Sequence, residues 1–126
     1  MKEGKPLAMA DTLGYLKFIR NKKQEYTVCL SLDSAGRLIA RRTVTIGLLD
    51  VSLIHPREVF AGPIKDRASS VIIAHNHPSG IAEPSEDDIR TTQQLAAAAQ
   101  ILGITFRDHL IVTKKSHFSF RSKGFL

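Results

Sequence analysis

The sequence predicts a mixed α/β, or α+β, fold in one small domain. Segments with the two-residue period of strands alternate with segments of helical period, and residues 70–74 form an apolar run long enough for a central strand covered on both faces. The chain has 126 residues, 43% of them hydrophobic, which suffices for a core without disulfide bonds. We therefore expect a sheet with helices packed against it.

The predicted order is helix, hairpin, helix, strand, helix and strands. Helical spacing of apolar residues predicts helices over about 10–21 and over 85–102. A further helix is predicted from residues 55–56 onwards, with Pro56 as its first-turn proline. Alternation and apolar runs predict strands over about 25–32, 37–46, 49–53, 70–74, 104–113 and 117–121. Asp11 is the candidate N-cap of the first helix, and Gly103 is the natural end of the last one.

The composition favours a cytoplasmic protein. Cys29 is the single cysteine, so an internal disulfide bond is excluded and a reducing compartment is favoured. The longest apolar runs, residues 71–74 and 95–99, are too short to span a bilayer, so no membrane partner is expected. Eighteen Lys and Arg residues against twelve Asp and Glu give a formal net charge of +6, which is compatible with a nucleic-acid partner without indicating one.

The chemistry of the chain is concentrated in residues 75–88. His75 and His77 follow the apolar strand at a spacing that sends both imidazoles to one face, and Pro78 favours an extended His77. A group of polar and acidic residues then opens the long helix. A strand end facing a helix start can bring two imidazoles and one carboxylate together. This donor set, without a thiolate, favours one zinc ion with a fourth position left for water, whose pKa zinc lowers to about 7.

Each part of this stretch also has a structural interpretation. A His-x-His pair in a loop is more often structural than metal-binding, and Ser85-x-x-Asp88 alone is better explained as a capping box at the start of a helix. The two parts together are more specific, because they form the pattern His75-x-His77, seven residues, Ser85-x-x-Asp88. The combined pattern therefore favours a functional site.

Two further residues are weaker candidates. His109 lies beside Asp108 in a predicted strand, where a hydrogen-bonded structural pair is favoured over a role in supporting a metal ligand. Cys29 shares a strand face with Glu25, but no base-bearing motif surrounds it, so we do not expect a nucleophile there.

The combined pattern resembles the JAMM, or MPN+, metalloprotease motif, and longer strings resemble the bacterial RadC family (UPF0758) in particular. These strings are His55-Pro-Arg-Glu-Val-Phe, Ala74-His-Asn-His-Pro-Ser-Gly and Asp108-His-Leu-Ile-Val. The resemblance implies a JAB/MPN domain over residues 10–126, preceded by a flexible lead-in at 1–9. It also implies a three-layer fold like that of cytidine deaminases, with helices flanking a mixed β-sheet. RadC members typically carry an N-terminal segment resembling helix-hairpin-helix modules, which we expect this chain to lack.

The resemblance implies the roles of four site residues. His75, His77 and Asp88 correspond to the ligands that bind one zinc ion together with water, and Ser85 corresponds to the residue that helps to stabilise the oxyanion. The zinc ligands are thus expected to come from the strand end and from the helix start.

The general base of such a site is implied to be an upstream glutamate that holds the water. Glu25 is favoured because it opens the first strand after the first helix, on the face opposite Val28 and Leu30. Glu58 is the alternative: it is closer in sequence, but it lies at a helix start, where a carboxylate complements the helix dipole. Spacing alone does not decide between them.

The function that the resemblance implies is zinc-dependent hydrolysis of an amide or isopeptide bond in a peptide or protein substrate. The alternatives are a nucleic-acid-interacting module associated with DNA repair, the label that the RadC family carries, and a metal-dependent nuclease. A metal-bound scaffold without turnover is a further alternative, although a scaffold has no need of an open metal position. An exposed edge such as residues 117–121 would allow an oligomer.

Overall fold

Five strands in one mixed sheet form the centre of the computed structural model, which describes residues 5–47 and 54–126. The strands are β1 Tyr26–Leu32, β2 Leu38–Ile46, β3 Ser70–Asn76, β4 Thr105–Val112 and β5 His117–Ser119. The helices within the same ranges are α1 Met9–Tyr15, α2 Pro56–Asp66 and α3 Glu86–Leu102, with a 3-10 helix at Lys17–Ile19. The spatial order of the strands is β2-β1-β3-β4-β5, with β3 and β4 parallel and the other neighbours antiparallel.

The predicted fold class and the order of its elements are confirmed. α3 begins after the N-cap Ser85 and ends at Gly103, whose φ of +71° is the left-handed conformation that glycine adopts most readily. α2 begins at Pro56, in the first-turn position expected for proline, and continues past Pro63 to Asp66. The strand predicted near residues 49–53 lies outside the described residues.

The first helix differs from its prediction over residues 10–21. α1 ends at Tyr15, directly after Gly14, and the chain continues as the 3-10 helix; glycine is a weak helix former, which favours a break here. The N-cap is Ala8, whose backbone N–H donates to the Asp11 carboxylate at 3.0 Å, so Asp11 closes the first turn from inside the helix. The apolar residue Leu16 remains fully buried across the break.

Helices cover both faces of the sheet and so form three layers. One core joins α2 and α3 to one face, through the buried residues Cys29, Phe60, Val71, Ile73, Leu95 and Phe106. The other joins the N-terminal helices to the opposite face, through Leu16, Ile19, Val28, Leu30, Leu32, Ile72 and Leu110. Among the described helices, none combines the length and the apolar character needed to cross a bilayer.

Strand β3 positions the chemistry-bearing residues. It is central, and all seven of its residues are buried, as the apolar run predicts. Because β1 is antiparallel to β3, the start of β1 lies beside the end of β3, with Thr27 opposite His75. The loop after β3 leads into the N-terminus of α3. Three chain segments therefore meet at this one edge of the sheet.

Candidate metal centre

Two imidazole rings converge at the C-terminal end of β3. His75 is fully buried and His77 is partly buried, and their Nε2 atoms lie 3.0 Å apart. The side chain of Asn76, between them, accepts a hydrogen bond from the backbone N–H of Tyr26 (2.6 Å) and donates one to the carbonyl of Gln24 (2.9 Å). Strand alternation thus gives both imidazoles to one face and uses the intervening residue to fix the start of β1.

The carboxylate of Asp88 faces both imidazoles from the first turn of α3. Its Oδ1 lies 3.4 Å from Nε2 of His75, and its Oδ2 lies 3.2 Å from Nε2 of His77. The capping box is also present: the backbone N–H of Ser85 donates to Asp88 Oδ2 (2.8 Å), and the backbone N–H of Asp88 donates to Ser85 Oγ (3.0 Å). The two interpretations of this motif are compatible, because the capping box orients the carboxylate that meets the imidazoles.

The electrostatics of this cluster favour a positive charge among its members. Burial alone would raise the pKa of Asp88, but hydrogen bonds with His75 and His77 hold that pKa well below its usual range. Burial would lower the pKa of His77, yet hydrogen bonds with Asp88 and with the carbonyl of Ile81 raise it above its usual value. The carboxylate is therefore ionised at neutral pH and stabilises a cation beside it.

The structure brings Glu25 to this cluster, whereas Glu58 is exposed in the first turn of α2. Glu25 immediately precedes β1, and its Oε1 lies 4.0 Å from Nε2 of His75. One ligand atom each from Glu25, His75 and His77 lie within 4.8 Å of one another, close enough to hold a metal ion. Of the two glutamates considered from the sequence, Glu25 is the one whose carboxylate approaches the imidazoles in the described structure.

A hydrogen-bond chain behind His75 includes two residues to which the sequence gave no functional role. Nδ1 of His75 lies 2.8 Å from Nε2 of His109, and Nδ1 of His109 lies 2.6 Å from Oγ1 of Thr92. Thr92 Oγ1 in turn donates to the carbonyl of Asp88 at 2.8 Å. Asp108 accepts a hydrogen bond from the backbone N–H of His109 (2.8 Å), whereas the His109 imidazole, expected to form a structural pair with Asp108, contacts His75 and Thr92 instead.

The donors and acceptors along this chain fix the tautomers of His75 and His109. The Thr92 hydroxyl gives its one hydrogen to the Asp88 carbonyl, so its oxygen accepts from Nδ1 of His109. Burial and the neighbouring His75 hold the pKa of His109 well below its usual value, so the ring is neutral and its Nε2 accepts from Nδ1 of His75. Nδ1 of His75 is consequently a donor, and Nε2 of His75 is the ring atom left to hold either the proton that bonds to Asp88 or a metal ion.

His77 is oriented in the same way, because its Nδ1 donates to the carbonyl of Ile81 at 2.8 Å. His75, His77 and Asp88 thus present acceptor atoms to one point, an arrangement that a proton or a metal cation satisfies. In tetrahedral zinc sites with bonds of about 2.0–2.1 Å, neighbouring ligand atoms lie about 3.3 Å apart. Here the two imidazole Nε2 atoms lie 3.0 Å apart, and each lies 3.2–3.4 Å from one of the two Asp88 oxygens, Oδ1 for His75 and Oδ2 for His77. The two imidazoles and the carboxylate are therefore a donor set of the type and spacing that one zinc ion can accept.

Cys29 lies on the side of β1 that packs against α2 and α3, with a buried thiol. Burial and the charge of Asp66 raise its pKa to about 12, against the opposing effect of Arg42. The thiol is therefore protonated at neutral pH, which agrees with the expectation that Cys29 is not a nucleophile.

A mixed sheet between helices, with a His-x-His pair and an aspartate gathered at the end of its central strand, defines a domain of the JAB class. The particular family follows from a family model: the chain belongs to the RadC-like JAB domain family, whose model matches residues 7–125. The resemblance drawn from the motifs of the sequence is thereby confirmed.

Curated relatives agree with this assignment. The chain is 52% identical to a UPF0758 protein of Methanospirillum hungatei over 108 residues, which are 86% of this chain and 48% of that protein. It is 41% identical to the UPF0758 protein YsxA of Bacillus subtilis over 125 residues, 99% of this chain and 51% of the relative. A UPF0758 protein of Thermotoga maritima is 44% identical over 102 residues, 81% of this chain and 46% of the relative. The chain thus spans about half the length of the curated relatives it matches.

Proposed function

We propose that this domain is a zinc-dependent hydrolase that cleaves an amide or isopeptide bond. The observation that carries the proposal is the convergence of two imidazole Nε2 atoms and one carboxylate, with separations of 3.0–3.4 Å. His75, His77 and Asp88 would hold one zinc ion per chain. When bound, zinc would supply a Lewis acid that polarises the scissile carbonyl and lowers the pKa of a water molecule.

Glu25 is proposed as the general base. Its carboxylate enters the same cluster, at 4.0 Å from His75 Nε2, where it can take a proton from the attacking water and return it to the leaving nitrogen. Ser85 is proposed as an oxyanion donor: its Oγ accepts from the backbone N–H of Asp88, and within the part of the chain that the structure describes its hydroxyl donates to no other group, so its hydrogen can be offered to substrate. One donor of this kind contributes about 3 kcal/mol to transition-state stabilisation.

His109 and Thr92 are proposed as positioning residues. The chain His75–His109–Thr92 ends on the backbone carbonyl of Asp88, so it couples the orientation of one proposed ligand to the helix turn that carries another. Hydrogen bonds behind metal-binding histidines fix the tautomer and the ring direction.

Removing the Thr92 hydroxyl is expected to weaken zinc binding about 10- to 100-fold. In Thr92→Val the shape of the side chain is kept, but Nδ1 of His109 loses its acceptor and the tautomer of His75 is no longer fixed. Thr92→Ser keeps the hydroxyl and is expected to bind zinc nearly as the wild-type chain does. Competition with a chromophoric chelator measures both affinities, and equal losses in the two variants would show that the hydroxyl has no positioning role.

The proposed reaction class is tested by cleavage assays on the zinc-loaded protein. Some members of a library of peptide and isopeptide substrates should be cleaved. This cleavage should stop when a chelator removes the zinc and should resume when zinc is added back. A panel of DNA substrates tested in parallel covers the nuclease alternative, which would more usually require several carboxylates around two metal ions. Chelator-sensitive cleavage of DNA without cleavage of any amide would overturn the proposal.

A further inference from the structure

A basic pocket of about 350 Å³ lies beside His77, on the surface next to the proposed zinc site. Five cationic side chains line it together with this histidine, and we define the basic pocket by these six residues: Arg20, Lys22, Lys23, His77, Lys114 and Lys115. No Asp or Glu is present among the lining residues that the structure describes. The pocket therefore concentrates positive charge immediately beside the cluster that holds Asp88.

Hydrogen bonds hold the walls of the basic pocket in place. The Arg20 guanidinium donates to the carbonyls of Thr113 (2.6 Å) and Ser116 (3.1 Å), which fastens the end of the N-terminal helices to the β4–β5 turn. The backbone N–H of His77 donates to the carbonyl of Val112 at 3.1 Å. The turn that carries Lys114 is thereby tied both to the first layer of helices and to the residue after β3.

A concave site with one sign of charge attracts ligands of the opposite sign and raises their local concentration. Since the basic pocket adjoins His77, a ligand bound in it would lie next to the atoms proposed to act on a scissile bond. The chemistry that this pocket recognises is an anionic group, either a carboxylate or a phosphate.

We propose that the basic pocket binds the carboxylates of an acidic peptide segment adjoining the scissile bond. This inference rests on the proposed amide hydrolysis, which makes a peptide the substrate. Two observations favour a peptide over a nucleic acid. The volume lies at the lower end of the range for small-ligand pockets, and His77 provides the one aromatic ring among the described lining residues, whereas single-stranded nucleic-acid sites rely on aromatic platforms for stacking.

The test measures binding, without catalysis, on the full chain both with zinc and with a chelator. Three fluorescein-labelled probes are compared by anisotropy: hexaglutamate, hexaglutamine and hexathymidylate. The probes are first compared at an ionic strength of about 0.15 M, where charges more than about 8 Å apart are largely screened, and salt is then added in steps. We expect hexaglutamate to bind most tightly, with an affinity that falls as salt is added, and hexaglutamine to bind weakly.

Charge reversal identifies the surface responsible. The variant Lys22→Glu/Lys114→Glu should bind hexaglutamate about tenfold or more weakly. The matched control Arg57→Glu/Lys65→Glu changes two exposed cations of α2 by the same net charge and should bind hexaglutamate nearly as the wild-type chain does. Circular dichroism checks that both variants are folded.

The remaining outcomes overturn the inference. An equal loss in both variants would assign the binding to net charge, and tighter binding of hexathymidylate, lost in the pocket variant, would assign the pocket to nucleic acid. If hexaglutamate does not bind at all, the inference that the basic pocket recognises acidic peptides is wrong. None of these readings depends on bound zinc or on turnover, so each is distinguishable from a failure of the proposed hydrolase function.

Discussion

Zinc affinity is expected to fall about 100-fold or more in Asp88→Asn, because the substitution turns a proposed anionic ligand into a neutral amide. Mutation of residues that only hydrogen-bond to metal ligands already lowers metal affinity about 10- to 100-fold, so the loss of a ligand's charge should cost at least as much. The amide oxygen can still accept the hydrogen bond from the backbone N–H of Ser85, so the start of α3 is preserved. The loss would therefore be one of charge at the site rather than of folding. Titration with zinc against a competing chelator measures the affinity, and circular dichroism checks the helix.

Asp87→Asn is the matched control for this variant. Asp87 is the preceding residue in the same helical turn, and its carboxylate pairs with Arg90 instead of with the imidazoles. Both variants remove one negative charge from the N-terminus of α3, so any general effect on the helix dipole is shared between them. Zinc binding by Asp88→Asn at the wild-type affinity, or an equal loss in both variants, would contradict the ligand assignment.

Turnover is expected to fall about 10²- to 10⁴-fold in Glu25→Gln, the range that a general base contributes. The amide keeps the size of the side chain but cannot take a proton from water. Because His75, His77 and Asp88 are unchanged, zinc content should stay at one ion per chain. The measurement pairs kcat for the best cleaved peptide with the zinc content of the same preparation.

Glu58→Gln separates the two glutamates that the sequence left in competition. Glu58 is exposed at the start of α2, so this variant should keep both zinc and turnover. A large loss of kcat in Glu58→Gln together with full activity in Glu25→Gln would transfer the role of base to Glu58. Loss of zinc in Glu25→Gln would instead indicate that Glu25 acts as a ligand.

Local signals in the sequence were sufficient for most of the fold. The strand alternation, the apolar run of β3 and the capping residues of α3 act over a few neighbouring residues, and each of them predicts the element that the structure contains. The same local reasoning explains the pair of imidazoles, because an extended strand sends His75 and His77 to one face whatever surrounds it. The first helix was less predictable: it ends at Tyr15, just after the weak helix former Gly14, although the helical spacing of apolar residues continues beyond that point.

The contacts that depend on strand order were beyond the sequence. Glu25 reaches the cluster because β1 runs antiparallel to β3, and His109 reaches His75 because β4 lies on the other side of β3. One signal for the second contact was present: Asp88 and Thr92 are four residues apart and so share a face of α3. The partner of Thr92, His109, became identifiable only when α3 was packed against β4.

Zinc at the proposed site can be located directly by diffraction from crystals of the zinc-loaded protein, measured on both sides of the zinc absorption edge. We predict one anomalous peak per chain, about 2.0–2.2 Å from Nε2 of His75, Nε2 of His77 and a carboxylate oxygen of Asp88. A peak bound by other residues, or no peak from protein saturated with zinc, would contradict the account.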